Sequence, residues 1–138
     1  MAFLHGKSAF FSVDDSGGTP RDLSAYLEDI SMPRSVETAE TTTFGAASSA
    51  KTYIVGLQDG NLSISGKFDS TADGYLAGVA AASASLSFVY GPGGNTVGYV
   101  KYTGECFMTS YDVGSQVGDV VSAKADFQIT GAITRTTF

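Results

Sequence analysis

The sequence predicts an all-β fold with one helix, and three features of the chain point to it. Glycine takes 17 of the 138 positions, above the usual ~7%, which predicts frequent turns. The chain has 7 Tyr and 9 Phe, and aromatic side chains of this kind favour strands. Several stretches alternate apolar and polar residues, as strands with one buried face do. A chain of this length is expected to form a single domain, residues 1–138.

The first quarter of the chain predicts short elements separated by turns. Residues 1–7 are interpreted as an N-terminal arm and residues 8–13 as the first strand. The Asp-, Gly- and Pro-rich stretch 14–20 predicts a turn. Residues 23–26 then predict a brief helical turn, and residues 27–32 an extended segment that ends before a proline.

The segment 34–50 is the most unusual part of the chain because it is long, polar and rich in threonine and serine. Threonine runs favour extended backbone, and loops of this length in a compact domain are usually functional or disordered. We therefore expect a long hairpin arm or loop that is mobile in the isolated subunit. Residues 51–55 predict a short strand, and the Asp-Gly pair within 58–60 predicts a tight hairpin turn.

A strongly alternating strand and the single helix follow. In residues 61–68, Leu62 and Ile64 alternate with polar residues, the pattern of a half-buried antiparallel strand. Residues 70–82 predict a helix, because Ser70 and Asp73 resemble a capping box. Apolar residues then recur along one face of this helix at helical spacing.

The last third of the chain predicts three more strands, residues 86–90, 97–109 and 119–130. The third strand alternates most regularly, and its polar face invites two interpretations, an ordinary solvated face or the wall of a wet channel. The tail 131–138 is β-prone, so it is expected either to close the sheet or to extend to a neighbouring copy. The polar face of the third strand comprises Ser122, Lys124, Asp126, Gln128 and Thr130.

Charge and cysteine content limit the partners of the chain. The formal net charge is −6 with a pI near 4.4, and the 8 basic residues are scattered, whereas a protein that grips nucleic acid clusters them. An acidic surface repels DNA, so DNA is expected to pass such a surface without being bound specifically. Cys106 is the single cysteine, and it is expected to be a buried thiol because it has no internal disulfide partner.

The start of the chain, MAFLHGKS, has no apolar run long enough for a signal peptide, and no later run approaches membrane-spanning length. The chain is therefore expected to be made in a cytoplasm, with no membrane partner, and to stay soluble or to assemble there.

No catalytic constellation is expected. His5 is the only histidine, so Ser-His-Asp, Cys-His and His-rich metal sites would all depend on it. Two acid pairs, Glu37 with Glu40 and Glu105 with Asp126, are candidates for glycosidase chemistry, but their polar surroundings suit surface charge better. We therefore expect a protein that is not an enzyme and that holds no cofactor and no metal.

A set of motifs spread over nearly the whole chain resembles one known family. The motifs are HGKSA (5–9), ETTTFG (40–45), AKTYIVGLQDG (50–60), LSISGKFD (62–69), YGPGG (90–94), the strand 97–109 and DVVSAKADFQITGAITR (119–135). Together they resemble the major tail tube protein of long-tailed (siphophage-type) bacteriophages.

The resemblance implies an antiparallel β-sandwich or barrel with one flanking helix, a long polar loop and extended termini. Copies would form rings, typically hexameric, that stack into a hollow tube, with the sheets of all subunits joined in an inner barrel. The tube would hold the tape measure protein and conduct the genome at ejection, and it would also contact tail-end proteins. Such a virion tail would be assembled in the cytoplasm of the bacterial host, and six copies at −6 each would give a ring about −36.

The resemblance also implies two sets of site residues. The loop 34–50 should reach the adjacent ring, and residues 1–7 and 131–138 should touch neighbouring copies. On the lumen face, Lys124 and Lys67 would pair with Asp126 or Asp69 across strands. The candidates for contact between rings or subunits are Glu37, Glu40, Thr41, Thr42, Thr43, Phe44, Lys51 and Tyr53; those for the lumen are Ser122, Lys124, Asp126, Gln128 and Thr130.

Two other kinds of protein stay open at this point. A capsid decoration or head–tail connector protein would form small closed oligomers and no open stacks. A stand-alone β-sandwich binding module would be monomeric, with a concave aromatic pocket.

Overall fold

In the computed structural model, the chain forms one curled antiparallel sheet of eight strands with a single helix. The structure describes residues 3–45 and 49–138. The all-β fold with one flanking helix is thus confirmed. The elements are β1 (Phe10–Asp14), β2 (Pro20–Asp22), β3 (Leu27–Ser31), β4 (Arg34–Glu40), β5 (Tyr53–Lys67), α1 (Ser70–Val79), β6 (Leu86–Gly91), β7 (Val100–Gly114) and β8 (Ser122–Thr137), with single 3-10 turns at Gly6–Ser8 and Ser24–Tyr26.

The strand order places the longest strands at the centre of the sheet. The order is β2-β1-β6-β7-β8-β5-β3, and β4 pairs with the outer half of β5. β7 and β8 form a long hairpin whose register runs from Gly114 opposite Ser122 to Val100 opposite Thr137. The edges β2 and β3 are short, as exposed edges of natural sheets usually are.

The core lies on one side of the curled sheet, where the predicted alternation places the apolar residues. On β8, Ala125, Phe127 and Ile129 are buried, and the residues between them are at least partly exposed. Phe127 packs near Phe11 of β1 with ring centroids 6.5 Å apart. Cys106 is buried in the same core, as expected, and burial raises the pKa of its thiol to about 12.

The helix covers the open side of this core. Ala72, Leu76 and Val79 are buried on its inner face. It ends at Val79, before the predicted Ala82, and its N-cap is Asp69, whose carboxylate accepts the Thr71 N–H at 2.8 Å. The predicted capping box beginning at Ser70 was therefore wrong by one residue, because the acidic side chain before Ser70 supplies the acceptor.

The predicted hairpin turn at 58–60 is wrong, because β5 is continuous from Tyr53 to Lys67. Gly60 sits within this strand, and a Cβ there would meet the Ile133 side chain at 3.0 Å. The glycine therefore serves a close approach between strands. The Asp59 carboxylate accepts a hydrogen bond from the Gln128 side-chain amide at 2.7 Å, which fixes it across the sheet.

Several other boundaries differ from the sequence-based expectations: the strand predicted at 97–109 is β7 (Val100–Gly114), and the one predicted at 119–130 is β8 (Ser122–Thr137). The segment 34–50, expected as a loop or arm, begins with the strand β4, and residues 46–48 of it lie outside the described residues, as do residues 1–2 of the N-terminal arm. The tail 131–138 largely belongs to β8 and pairs with β7 of the same chain, so it lengthens the central hairpin of an open sheet. The short strand β2 was not predicted, because a three-residue strand next to a turn carries no alternation.

Candidate functional site: the hairpin arm and the polar sheet face

A two-stranded ribbon projects from the sheet. It consists of β4 and the outer half of β5, with Glu40 opposite Tyr53, Ala39 opposite Ile54 and Thr38 opposite Val55. All seven residues of β4 are exposed, and so are residues 53–59 of β5. We call residues 34–59 the arm.

The threonine run orders the tip of the arm. The Thr41 N–H donates to the Thr52 carbonyl at 2.8 Å, and the two side-chain hydroxyls lie 2.8 Å apart. The Thr52 N–H in turn donates to the Thr42 hydroxyl at 2.8 Å. These bonds extend the ladder beyond its last strand pair, so the polar threonines act as side-chain partners for the backbone.

The arm exposes large apolar side chains that no described part of the chain covers. Successive side chains of a strand point to opposite faces, so Tyr53 and Val55 lie on one face of the arm and Ile54 lies on the other. A surface with this much apolar area marks an interaction site. The exposed fractions are 51% for Val36, 112% for Phe44, 55% for Tyr53, 59% for Ile54, 72% for Val55 and 77% for Leu57.

The predicted contact residues all lie on this arm, and the structure brings them together there. They are Glu37, Glu40, Thr41, Thr42, Thr43, Phe44, Lys51 and Tyr53. Sequence reasoning missed Val36, Ile54, Val55 and Leu57 as exposed side chains. The signal was present in the run YIVGL (53–57), which is apolar on both faces; such a strand is normally buried on both sides.

A groove lies where the arm leaves the sheet. It has a volume of about 300 Å³ and is lined by Arg34, Val36, Gly60, Ile129 and Ile133, among others. The groove thus joins the core residue Ile129 to the arm residue Val36, and the polar residues Ser35, Gln58 and Asp59 also line it.

The other candidate surface is the polar face of β8, which the structure places on the side of the sheet opposite the core. Asp126 lies between Ser63 of β5 and Ser110 of β7. The Ser63 hydroxyl donates to one carboxylate oxygen, and the Ser110 hydroxyl donates to the other at 2.9 Å. Both hydrogen bonds lower the pKa of the Asp126 carboxyl, and the bond from Ser63 has the larger effect.

The remaining lumen candidates continue this face along β8. Gln128 donates to the Asp59 carboxylate and to the Gly60 carbonyl at 3.0 Å. Lys124 stands in register with Ser65 on one side and Asp112 on the other. Ser122 and Thr130 begin and end the row and are exposed. Neighbouring strands therefore supply hydrogen-bond partners to the centre of the face.

The expected pairing of Lys67 with Asp69 is wrong. The Lys67 ammonium lies 2.8 Å from a Glu28 carboxylate oxygen on β3, and this hydrogen bond raises the pKa of the lysine. β3 is the direct neighbour of β5 in the sheet, with Leu27 opposite Gly66, so Glu28 is the carboxylate within reach.

Of the two acid pairs considered for glycosidase chemistry, Glu105 and Asp126 are held apart along the sheet, and Glu37 and Glu40 both lie exposed on β4. Glu105 is opposite Thr130 on β8, four residues from Asp126, which corresponds to about 13 Å along the strand. His5 is exposed, and its Nδ1 accepts the Lys7 N–H at 3.1 Å. Within residues 3–45 and 49–138, no three His, Cys, Asp or Glu side chains come together as metal ligands.

The same described part of the chain has no helix with the length and apolar character needed to cross a membrane.

Comparison with known proteins identifies the fold. No protein-family profile and no curated protein sequence matches the chain. Among solved structures, it is similar to a chain in the tail of an empty gene transfer agent particle, which was determined with C6 symmetry. The TM-score is 0.81 and the sequence identity is 16%, and the match covers 98% of this chain and 100% of that chain.

Two further structures are similar. One is the SPP1 tail tube, with TM-score 0.66, 11% identity and coverage of 99% and 80% of the two chains. The other is a chain of the PVC sheath–tube complex of an extracellular contractile injection system, with TM-score 0.72, 9% identity and coverage of 99% and 93%. At these identities the likeness establishes the fold.

Proposed function

We propose that this chain is the repeating structural subunit of a phage-type tail tube, in which rings of copies stack around a hollow channel. Its fold matches chains of tails and tubes over 98% or more of its length. The C6 symmetry of the gene transfer agent tail supports rings of six. The chemistry required of the chain is association, with no catalytic step.

The observation that carries the proposal is the arm. A two-stranded ribbon is marginally stable by itself in water, and this one exposes large apolar side chains on both faces. Burial of one such side chain contributes about 1.5–3 kcal/mol. In a stack of rings every copy repeats the contact, so weak contacts multiply around the ring. The arm is thus the surface we assign to contact between rings, with Phe44, Lys51 and Tyr53 at its outer end.

The polar face of β8 is the surface we assign to the channel. Its central carboxylate is held in place by two serine hydroxyls, so the negative charge at the centre of the face is fixed in position. An acidic chain with net charge −6 repels the phosphates of DNA. The face therefore suits conduction of a tape measure protein and of the genome. The virion tail, assembled in the host cytoplasm, is the location that follows from this role.

The test combines electron microscopy with a truncated arm. Purified full-length protein, concentrated at low and moderate salt, is expected to form hollow stacked rings in negative stain. Replacing residues 39–54 by Asn-Gly joins Thr38 to Val55, which already face each other, through a two-residue hairpin turn. The described residues that are removed are exposed, so the truncated chain should keep its circular dichroism spectrum and lose stacking.

The exposed loop residue Val97, 86% accessible, provides the control. Val97→Ser should stack as the unmodified chain does. Long tubes from the truncated chain would reject the arm as the contact between rings. Closed oligomers from the full-length chain would instead favour a decoration or connector protein, and a uniform monomer would favour a binding module.

A further inference from the structure

Three further exposed valines lie outside the arm, at or beside the hairpin turn between β7 and β8. Val113, Val117 and Val120 are 43%, 108% and 59% exposed. We call these three residues the valine cluster. These valines belong neither to the polar face of β8 nor to the arm, and they are not part of the buried core.

The local backbone holds this cluster outward. The Asp119 N–H donates to the Gln116 carbonyl at 3.2 Å, and Gly118 has a φ of 85°. Together these describe a type II turn with Val117 at its second position, the apex. The Asp119 carboxylate also accepts the Val120 N–H at 2.8 Å. Val117 is therefore presented by an ordered turn.

The valine cluster and the arm lie at opposite ends of the subunit. At one end, Lys67 of β5 is in register with Ser122 of β8, and the Phe68 N–H donates to the Val121 carbonyl at 2.9 Å. The arm occupies the other end of the same strand, which is 15 residues long. The last arm residue of β5, Asp59, lies eight residues before Lys67, so about 26 Å of continuous strand separates the two surfaces at their nearest.

We infer that the valine cluster of one copy receives the arm of a copy in the next ring. This inference rests on the proposed function. Two different patches at opposite ends of one molecule make a heterologous contact, which propagates in an open stack and does not close on itself. Both patches are apolar and exposed, so contact between them would remove apolar surface of both from water.

The outer part of the arm and the turn that carries Val117 hold one opposite charge each, while the arm as a whole also holds Arg34, Glu37, Glu40 and Asp59. Between Thr41 and Gln58 the only charged residue is Lys51, and between Gly114 and Ala123 the only one is Asp119. A single cation near the outer end of the arm would therefore meet a single anion beside Val117. Opposite charges at the rim of an interface set its register and assist encounter.

Cross-linking between copies tests the contact. A chain with Val55→Cys and Val117→Cys, treated with a short bis-maleimide under assembly conditions, should give a ladder of covalent dimers, trimers and higher oligomers. A chain with Val55→Cys and Val97→Cys should not, because Val97 precedes β7 at the end opposite Gly114. The native thiol of Cys106 is buried with a pKa raised to about 12, so it should not compete.

The outcomes separate this inference from the proposed function. Tubes in micrographs with no ladder would overturn the valine cluster as the receptor and leave the tube intact. Neither tubes nor ladder would overturn both. A product that stops at dimers would mean a closed, reciprocal contact and would overturn the head-to-tail arrangement. A ladder without tubes would support the contact and reject the tube.

A substitution gives a second, independent measurement. Val117→Asp places a charge in the contact and should raise the protein concentration needed for stacking by about tenfold or more. Val97→Asp adds the same charge to an exposed valine elsewhere and should change that concentration by less than about threefold. Equal effects of the two substitutions would overturn the inference, because general charge repulsion would then explain both.

Discussion

Gly66 offers the sharpest test of how the sheet edge is built. Its strand β5 pairs with the edge strand β3, with Leu27 opposite Gly66. A Cβ at this position would lie 2.1 Å from the Tyr26 carbonyl oxygen and 2.7 Å from the Leu27 Cα. Both are backbone atoms, so no side-chain rotation relieves the clash. In Gly66→Ala the first part of β3 must move away by about 1 Å or more.

The cost follows from this geometry. Overpacking against backbone costs about 1–3 kcal/mol, and each ladder hydrogen bond lost at β3 costs about 1 kcal/mol more. The smaller entropy of the unfolded alanine chain offsets about 0.5–1 kcal/mol. A net loss of about 3 kcal/mol is expected, which corresponds to a fall in Tm of roughly 10 °C for a chain of this size.

Gly74 in α1 is the matched control, because a Cβ there meets nothing within 4 Å. Gly74→Ala should raise stability by about 0.5–1 kcal/mol, the helix preference of alanine over glycine. Both variants are measured by urea unfolding of dilute protein, below the concentration for assembly, since association would add to apparent stability. Shifts of the same sign, or shifts within about 1 kcal/mol of each other, would refute the backbone clash at Gly66.

Two further predictions concern single hydrogen bonds. The Tyr111 hydroxyl donates to the Asp73 carboxylate at 2.7 Å, so Tyr111→Phe should lower the unfolding free energy by about 1 kcal/mol; no loss by urea unfolding would mean that the bond does not tie α1 to β7. Because the pKa of the Asp126 carboxyl is lowered in the folded chain, its ionised form stabilises the fold above pH ~4. This stabilisation is lost as the carboxyl is protonated at lower pH. Ser63→Ala should therefore raise the midpoint of acid destabilisation, and an unchanged midpoint would exclude this serine as a cause.

Elements with one buried face were predictable from sequence, because burial imposes the alternation that marks them. On β8, the buried Ala125, Phe127 and Ile129 occupy the positions that the pattern assigns to the core. The helix was recognisable for a similar reason, since its buried residues recur at helical spacing. Its ends were less certain, because a cap depends on one side chain and not on a periodic pattern.

The arm could be predicted only in part, because its order does not come from a buried face. An Asp-Gly pair favours a turn locally, yet Gly60 is packed near Ile133 and Ile129 within a long strand. Contacts between strands far apart in sequence therefore overrode a local preference. The exposed apolar run that follows the tip was interpreted as an ordinary short strand, because sequence alone does not show which surface is left uncovered.

The continuity of β5 explains how an uncovered ribbon can keep its shape. Its inner half is fixed between β3 and β8, and within residues 3–45 and 49–138 its outer half has β4 as its only strand partner. A turn at Gly60 would separate the two halves and leave the ribbon to fold by itself, which two strands do poorly in water. Since one uninterrupted strand links them, the core holds the arm in position before any partner arrives. A pre-ordered arm would lose less conformational entropy if copies associate through it as proposed, and the continuous strand at Gly60, which sequence reasoning assigned to a turn, provides that order.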